Sequence, residues 1–97
     1  MNARARNAAR FPIGRALITP GAQAALDSEG IPVLLVLARH VCGDWGELPV
    51  EDLAANELAL LAGRRLLSSY ALPGDGKVWI ITEADRASTT ILLPDDY

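Results

Sequence analysis

Pro32-Val33-Leu34-Leu35-Val36-Leu37-Ala38-Arg39-His40-Val41-Cys42-Gly43 is the stretch on which the architecture turns. Val33 to Ala38 is an unbroken apolar run, and periodicity alone reads such a run equally well as a buried strand or a buried helix. The flanks favour the helix. Pro32 opens a helix at no cost in backbone hydrogen bonds, and Gly43 stops one. Because the segment is apolar nearly all round, it is expected as the central helix, covered on most sides. A strand is the competing reading.

Working outward, Thr19-Pro20 repeats the helix-opening chemistry, Thr19 as N-cap and Pro20 at the first helical position. A short helix through Ala22, Ala25 and Leu26 is expected, ending at Gly30. Gly14 to Thr19 reads as a short N-terminal edge strand. Beyond Gly43, the turn Asp44-Trp45-Gly46-Glu47-Leu48-Pro49 leads into a third helix over Val50 to Ala62. Val50, Leu53, Ala54, Leu58 and Leu61 form its expected buried stripe, with Glu51, Asp52 and Glu57 off it. Strands follow at Leu66 to Leu72, Lys77 to Glu83 and Thr89 to Leu93, joined by Pro73-Gly74-Asp75-Gly76 and by Ala84 to Ser88. The expected fold is therefore α+β, about three N-terminal helices packed on a C-terminal three-stranded antiparallel meander. Residues 12–97 make a single domain and residues 1–11 a flexible basic tail.

The totals agree with one globular domain: 97 residues, 51% apolar and 22% charged. Charge is unevenly spread. Residues 1–15 hold four arginines (Arg4, Arg6, Arg10 and Arg15) and no acid, whereas the remainder holds five bases against twelve acids, a balance of −7. An acidic body repels a phosphate backbone, so nucleic acid is not an expected partner except through Arg4, Arg6 and Arg10. No apolar run reaches the roughly 20 residues that span a bilayer, and no signal peptide is read at the start. With a lone cysteine, Cys42, disulfides are excluded and a cytoplasmic setting is expected.

Chemistry is sparse. No phosphate loop, dinucleotide fingerprint, nucleophile elbow or metalloprotease helix occurs, and one histidine with one cysteine cannot build a His/Cys metal cluster. Neither cofactor nor metal is expected. His40 is the one side chain that titrates near neutrality and so the one candidate general base. The favoured reading is structural, with His40 capping the helix end or bonding the Asp44 carboxylate. Trp45 is read as folding back onto the core, ahead of a ligand-stacking role. The run Thr82 to Thr90, with Glu83, Asp85, Arg86 and Thr89, concentrates polar groups. A charged hairpin tip is favoured over an anion-binding cluster with His40. On the middle strand Trp79 and Ile81 share one face and Val78 and Ile80 the other. Helices covering one face leave Trp79 and Ile81 as an apolar patch of the kind that meets a protein partner or a second copy.

His40-x-x-Gly43-Asp44-Trp45-Gly46, Asn56, Arg65 to Tyr70, Trp79 to Arg86 and Thr89 to Pro94 together resemble an uncharacterised family of small bacterial proteins carried on plasmids, phages and other mobile elements. The resemblance covers Gly14 to Tyr97, departs from its pattern near Ala87, and implies a setting without implying an activity. By analogy of layout alone, a small chain with a −7 body is also similar to anti-restriction and anti-CRISPR inhibitors, which bind a host protein. The leading expectation is accordingly a non-enzymatic interaction or inhibitor protein of a mobile element, docking through Trp79, Ile81, Trp45, Asp44, Glu83 and Asp85, with homodimerisation as a variant. The alternative rests on an analogy of layout to metal-independent ribonuclease toxins. There His40 is the base, Arg86 the phosphate clamp, and Thr89 or Tyr70 an orienting hydroxyl.

Overall fold

The computed structural model describes residues 8–97. Strand β1 (Arg15–Ile18) is followed by helices α1 (Pro20–Ser28), α2 (Val33–Val41) and α3 (Val50–Ala62). Strands β2 (Leu66–Ala71), β3 (Lys77–Thr82) and β4 (Ser88–Leu92) then lead to a closing 3-10 turn, Pro94–Asp96. The class is α+β, and Val33 to Val41 is helical. Thr19 opens α1 as its chemistry requires, its hydroxyl accepting the Ala22 N–H at 3.2 Å. Gly63, at φ +69°, closes α3 in the left-handed conformation.

The sheet corrects the expected three-stranded meander. It has four strands in the order β1-β4-β3-β2, and β1 runs parallel to β4, with Ala16 opposite Thr89 and Ile18 opposite Ile91. The expected edge strand is thus an integral, parallel member. The Thr19 N–H donates to the Ile91 carbonyl at 3.0 Å and the Arg15 N–H to that of Ala87 at 2.9 Å. The three helices form the long crossover from one edge of the sheet to the other, where β2 enters. The two remaining pairings, β2–β3 and β3–β4, are antiparallel as expected.

Residues sharing one sheet face follow from register. Leu66, Ser68 and Tyr70 on β2, Val78, Ile80 and Thr82 on β3, and Thr89 and Ile91 on β4 line the helix side. Tyr70, Val78, Ile80 and Ile91 pack with Ala22 and Leu26 of α1 and Val36 and Leu37 of α2. A second cluster joins Phe11, Trp45, Ala59 and Leu66. Most of the expected tail, including Arg4 and Arg6, lies outside the described residues. At its end Phe11 is buried, stacked on Trp45 at 6.0 Å, and Arg10 pairs with Glu57 at 2.8 Å.

Two helix expectations are corrected. The helix α2 is not covered on most sides: it buries Val36, Leu37 and His40 and leaves Leu34 and Leu35 exposed. A two-layer domain has nothing to place outside its helices. In α3 the buried side carries Asn56 and Ala59, with Leu53 and Leu60 half-buried, while Val50, Leu58 and Leu61 face outward. Relative to the apolar stripe the helix is rolled by about a third of a turn. The cause is Asn56, whose amide brackets the Leu67 peptide on the edge strand β2, a contact available only if that side of α3 faces in.

Candidate functional site

His40 is completely buried, at 0% exposure, at the seam between the two apolar clusters. It does not bond the Asp44 carboxylate, which pairs instead with Arg39 at 2.7 Å. Its Nδ1 meets Ser68 Oγ at 2.5 Å and its Nε2 meets Thr82 Oγ1 at 2.8 Å. Thr82 Oγ1 meets Thr89 Oγ1 at 2.7 Å, and Thr89 donates to the Ile13 carbonyl at 2.8 Å. That terminal carbonyl fixes the direction of every bond. Thr89 spends its proton on Ile13, so Thr82 donates to Thr89. The Thr82 hydroxyl oxygen then accepts from His40 Nε2–H, and Nδ1 accepts from Ser68. The imidazole is the neutral Nε2–H tautomer. Burial, with the positive Arg86 guanidinium as a secondary cause, lowers its pKa to about 4.

The residues grouped around His40 by the ribonuclease-like alternative do lie near one another, but His40, Thr89 and Tyr70 are buried and the half-buried Arg86 is turned toward main-chain carbonyls. Thr89 belongs to the buried chain. The Tyr70 ring is buried, its hydroxyl donates to the Asp44 carbonyl at 2.5 Å, and burial raises its pKa. The Arg39 guanidinium lies over the Tyr70 ring, 4.4 Å from its centre. Arg86, at φ +61°, aims its guanidinium at main-chain carbonyls: Arg64 at 2.7 Å, Glu83 at 3.0 Å, Ala84 at 3.3 Å and Ala59 at 3.4 Å. It thereby ties the β3–β4 turn to the C-terminal end of α3. The same face of the cation cannot also clamp a phosphate.

The candidate binding residues are dispersed. Trp45 is buried and donates from Nε1 to Glu57 at 2.8 Å, which matches its reading as a core residue. Glu57 takes Arg10 and Trp45 together, and Arg10 foremost holds its carboxyl below the ordinary value. Glu83 pairs with Arg65 at 3.4 Å, and Asp85 accepts the Ala87 N–H at 2.9 Å to form the turn. On the helix-free sheet face Trp79 is half-buried with Tyr97 edge-on at 6.0 Å. Ile81 is buried between Leu67 and Thr90 on the neighbouring strands, so the expected exposed Trp79/Ile81 pair is reduced to part of one ring.

Exposed apolar side chains lie instead on the helices, Leu34 and Leu35 on α2 and a longer row on α3. Val50, Leu58 and Leu61 are 77%, 66% and 85% exposed. By helical spacing they share the outward side with Ala54, Ala55 and Ala62. Ala55, Leu58, Leu61, Ala62 and Arg64 rim a shallow hollow of about 500 Å³ with Ala59 at its base. Leucines two-thirds exposed on consecutive turns of one helix are a patch, whereas a single exposed leucine is ordinary.

Three residues that organise the interior, Ser68, Thr82 and Asn56, carry no distinctive signal in the sequence. Serine and threonine on a strand read as β-formers, and an asparagine in a helix reads as surface. Among the described residues no cluster of His, Cys, Asp and Glu suited to a metal ion occurs, and no single helix is long and apolar enough to cross a membrane. No known protein family, characterised protein or solved structure matches the chain.

Proposed function

We propose that this chain is a protein-interaction module and that the outward face of α3 is its docking surface. The observation that carries the reading is the exposure of Leu58 and Leu61, 66% and 85%, on a helix whose inward side is given to Asn56 and Ala59. Exposing apolar area of this kind costs about 25 cal/mol for each Å² left in water, which a bound partner recovers. The mobile-element setting is carried by the resemblance of the Gly43 to Gly46 and Trp79 to Arg86 segments, an inhibitory role against a host protein by the analogy of layout, and both belong to the same proposal. Glu51 and Asp52 in the first turn of α3 give the surface an acidic border that suits a basic partner region.

The ribonuclease-like reading gains nothing from the geometry. A general base must come within hydrogen-bond reach of an external hydroxyl, and both nitrogens of His40 are engaged inside the core.

The reading is tested with paired baits, the wild-type chain and Leu58→Glu/Leu61→Glu, of equal thermal stability. A specific protein held by the first and released by the second supports the docking face. Equal retention by both baits overturns it.

A further inference from the structure

We infer that the α3 face pairs with a second copy of itself, the two helices lying antiparallel across a two-fold axis near Leu58. The inference rests on the reading of α3 as a docking surface and names its occupant.

An interface about a two-fold axis uses the same patch on both copies, so the patch must carry projections and the recesses that receive them. The outward side of α3 has both. Leu58 and Leu61 project, and the hollow of about 500 Å³ lies beside them, floored and walled by the small side chains of Ala55, Ala59 and Ala62. Leucines entering alanine-lined recesses is the geometry in which ridges on one helix seat in grooves on another.

Charge selects the antiparallel orientation. Glu51 and Asp52 occupy the first turn of α3, and Arg64 rims the hollow just past its last turn. Among the described residues none of the three has an ion-pair partner. An antiparallel pair sets Glu51 and Asp52 of each copy beside Arg64 of the other and opposes the two helix dipoles. A parallel pair would bring Arg64 against Arg64 and acid against acid. The twelve acids of the chain disfavour indiscriminate self-association, so pairing depends on this local match.

A helix of 13 residues is about 20 Å long, and one such face falls at the low end of specific interface sizes. The pair is therefore one that separates on dilution.

The experiment is sedimentation equilibrium on the full chain over a concentration series up to about 1 mM. The expected weight-average mass starts at 10.3 kDa and climbs toward twice that value. Leu58→Glu should hold the mass at 10.3 kDa throughout, with an unchanged circular dichroism spectrum because the side chain is outside the core. Arg64→Glu should weaken the dimer by about tenfold, and adding Glu51→Arg and Asp52→Arg to it should restore most of that loss. A wild-type chain that remains at 10.3 kDa up to the highest concentration overturns the self-pairing. If Leu58→Glu/Leu61→Glu then still releases a separate protein partner, the docking face stands and only its occupant was misassigned. A dimer indifferent to Leu58→Glu overturns the pairing through α3, and a charge reversal without recovery overturns its antiparallel sense.

Discussion

Asn56 brackets the peptide of Leu67: its Nδ2 donates to the Leu67 carbonyl at 2.6 Å, and its Oδ1 accepts the Leu67 N–H at 3.1 Å. The side-chain amide stands where a neighbouring strand would stand, and closes an edge of the sheet that would otherwise present unpaired groups. Further along the same edge the Ser69 N–H donates to the Trp45 carbonyl at 3.0 Å, and the Glu47 N–H donates to the Ser69 carbonyl at 2.7 Å. Gly46 makes that approach possible, since a β-carbon there would fall 2.0 Å from the Ser69 oxygen. The outward display of Leu58 and Leu61 follows from the same roll of α3 that brings Asn56 to the edge.

Asn56→Leu tests that account. It adds apolar volume at a buried helix position, which the hydrophobic pattern alone would favour, yet it strips both partners from the Leu67 peptide. Urea unfolding should show a loss of about 2–3 kcal/mol, the cost of stranding a buried donor and acceptor. A neutral or stabilising result would mean that the bracket does not set the roll of α3.

His40 predicts a pH dependence whose sign is fixed. Its pKa falls from an ordinary 6.5 to about 4 in the folded chain. The unfolded chain therefore takes up the proton first as pH drops. Stability is complete above about pH 6.5 and declines through the window down to pH 4, by about 3 kcal/mol at its lower end. The paired carboxylates Asp44 and Glu57, whose ordinary values are 3.8 and 4.5, lose their contribution mainly below that window. Unfolding free energies at pH 7.5 and pH 5 should accordingly differ in the wild type and converge in His40→Gln. Equal pH slopes in the two proteins would remove the buried neutral imidazole from the explanation.

Phe11 closes the second cluster from a segment whose composition reads as tail. It lies edge-on to His40 at 5.2 Å, is stacked on Trp45, and is 6% exposed. Phe11→Ala should lower stability by about 3 kcal/mol, as for other buried aromatic residues. It should also shift the tryptophan emission to the red by admitting water to Trp45. Stability within 0.5 kcal/mol of wild type would place Phe11 outside the core.

Much of the fold is legible in the sequence because it rests on local chemistry. Thr19-Pro20 and Pro32 mark where two helices begin, Gly30 and Gly43 where they end, and Pro73 to Gly76 joins β2 to β3. What is not legible depends on partners far apart in the chain. The parallel pairing of Ala16 with Thr89 has no hairpin to announce it. A stripe of Val50, Leu58 and Leu61 looks like a buried face until Asn56 is seen to win the inward side. The chain from Ser68 through His40 and Thr82 to Thr89 unites three strands and a helix, and the spacing of those residues in sequence does not reveal it. The candidate site suffers most, since exposure, the property that distinguishes the α3 face, is set by the direction in which a helix is rolled.

Leu61 separates the two readings of α3 most directly. If the apolar stripe were the buried one, Leu61→Glu would place a carboxylate in the core and cost several kcal/mol. At 85% exposure it instead exchanges one solvated side chain for another, and the change in stability of the dilute chain should stay within about 0.5 kcal/mol. Leu66→Ala, five positions on, is the control: Leu66 is 0% exposed in the second cluster, and its truncation should cost about 2–5 kcal/mol. Thermal melts at low micromolar concentration read both. A destabilised Leu61→Glu would return the leucine stripe to the interior and remove the surface on which docking and self-pairing both depend, whereas a silent Leu61→Glu beside a destabilised Leu66→Ala places the boundary between core and docking face between these two leucines.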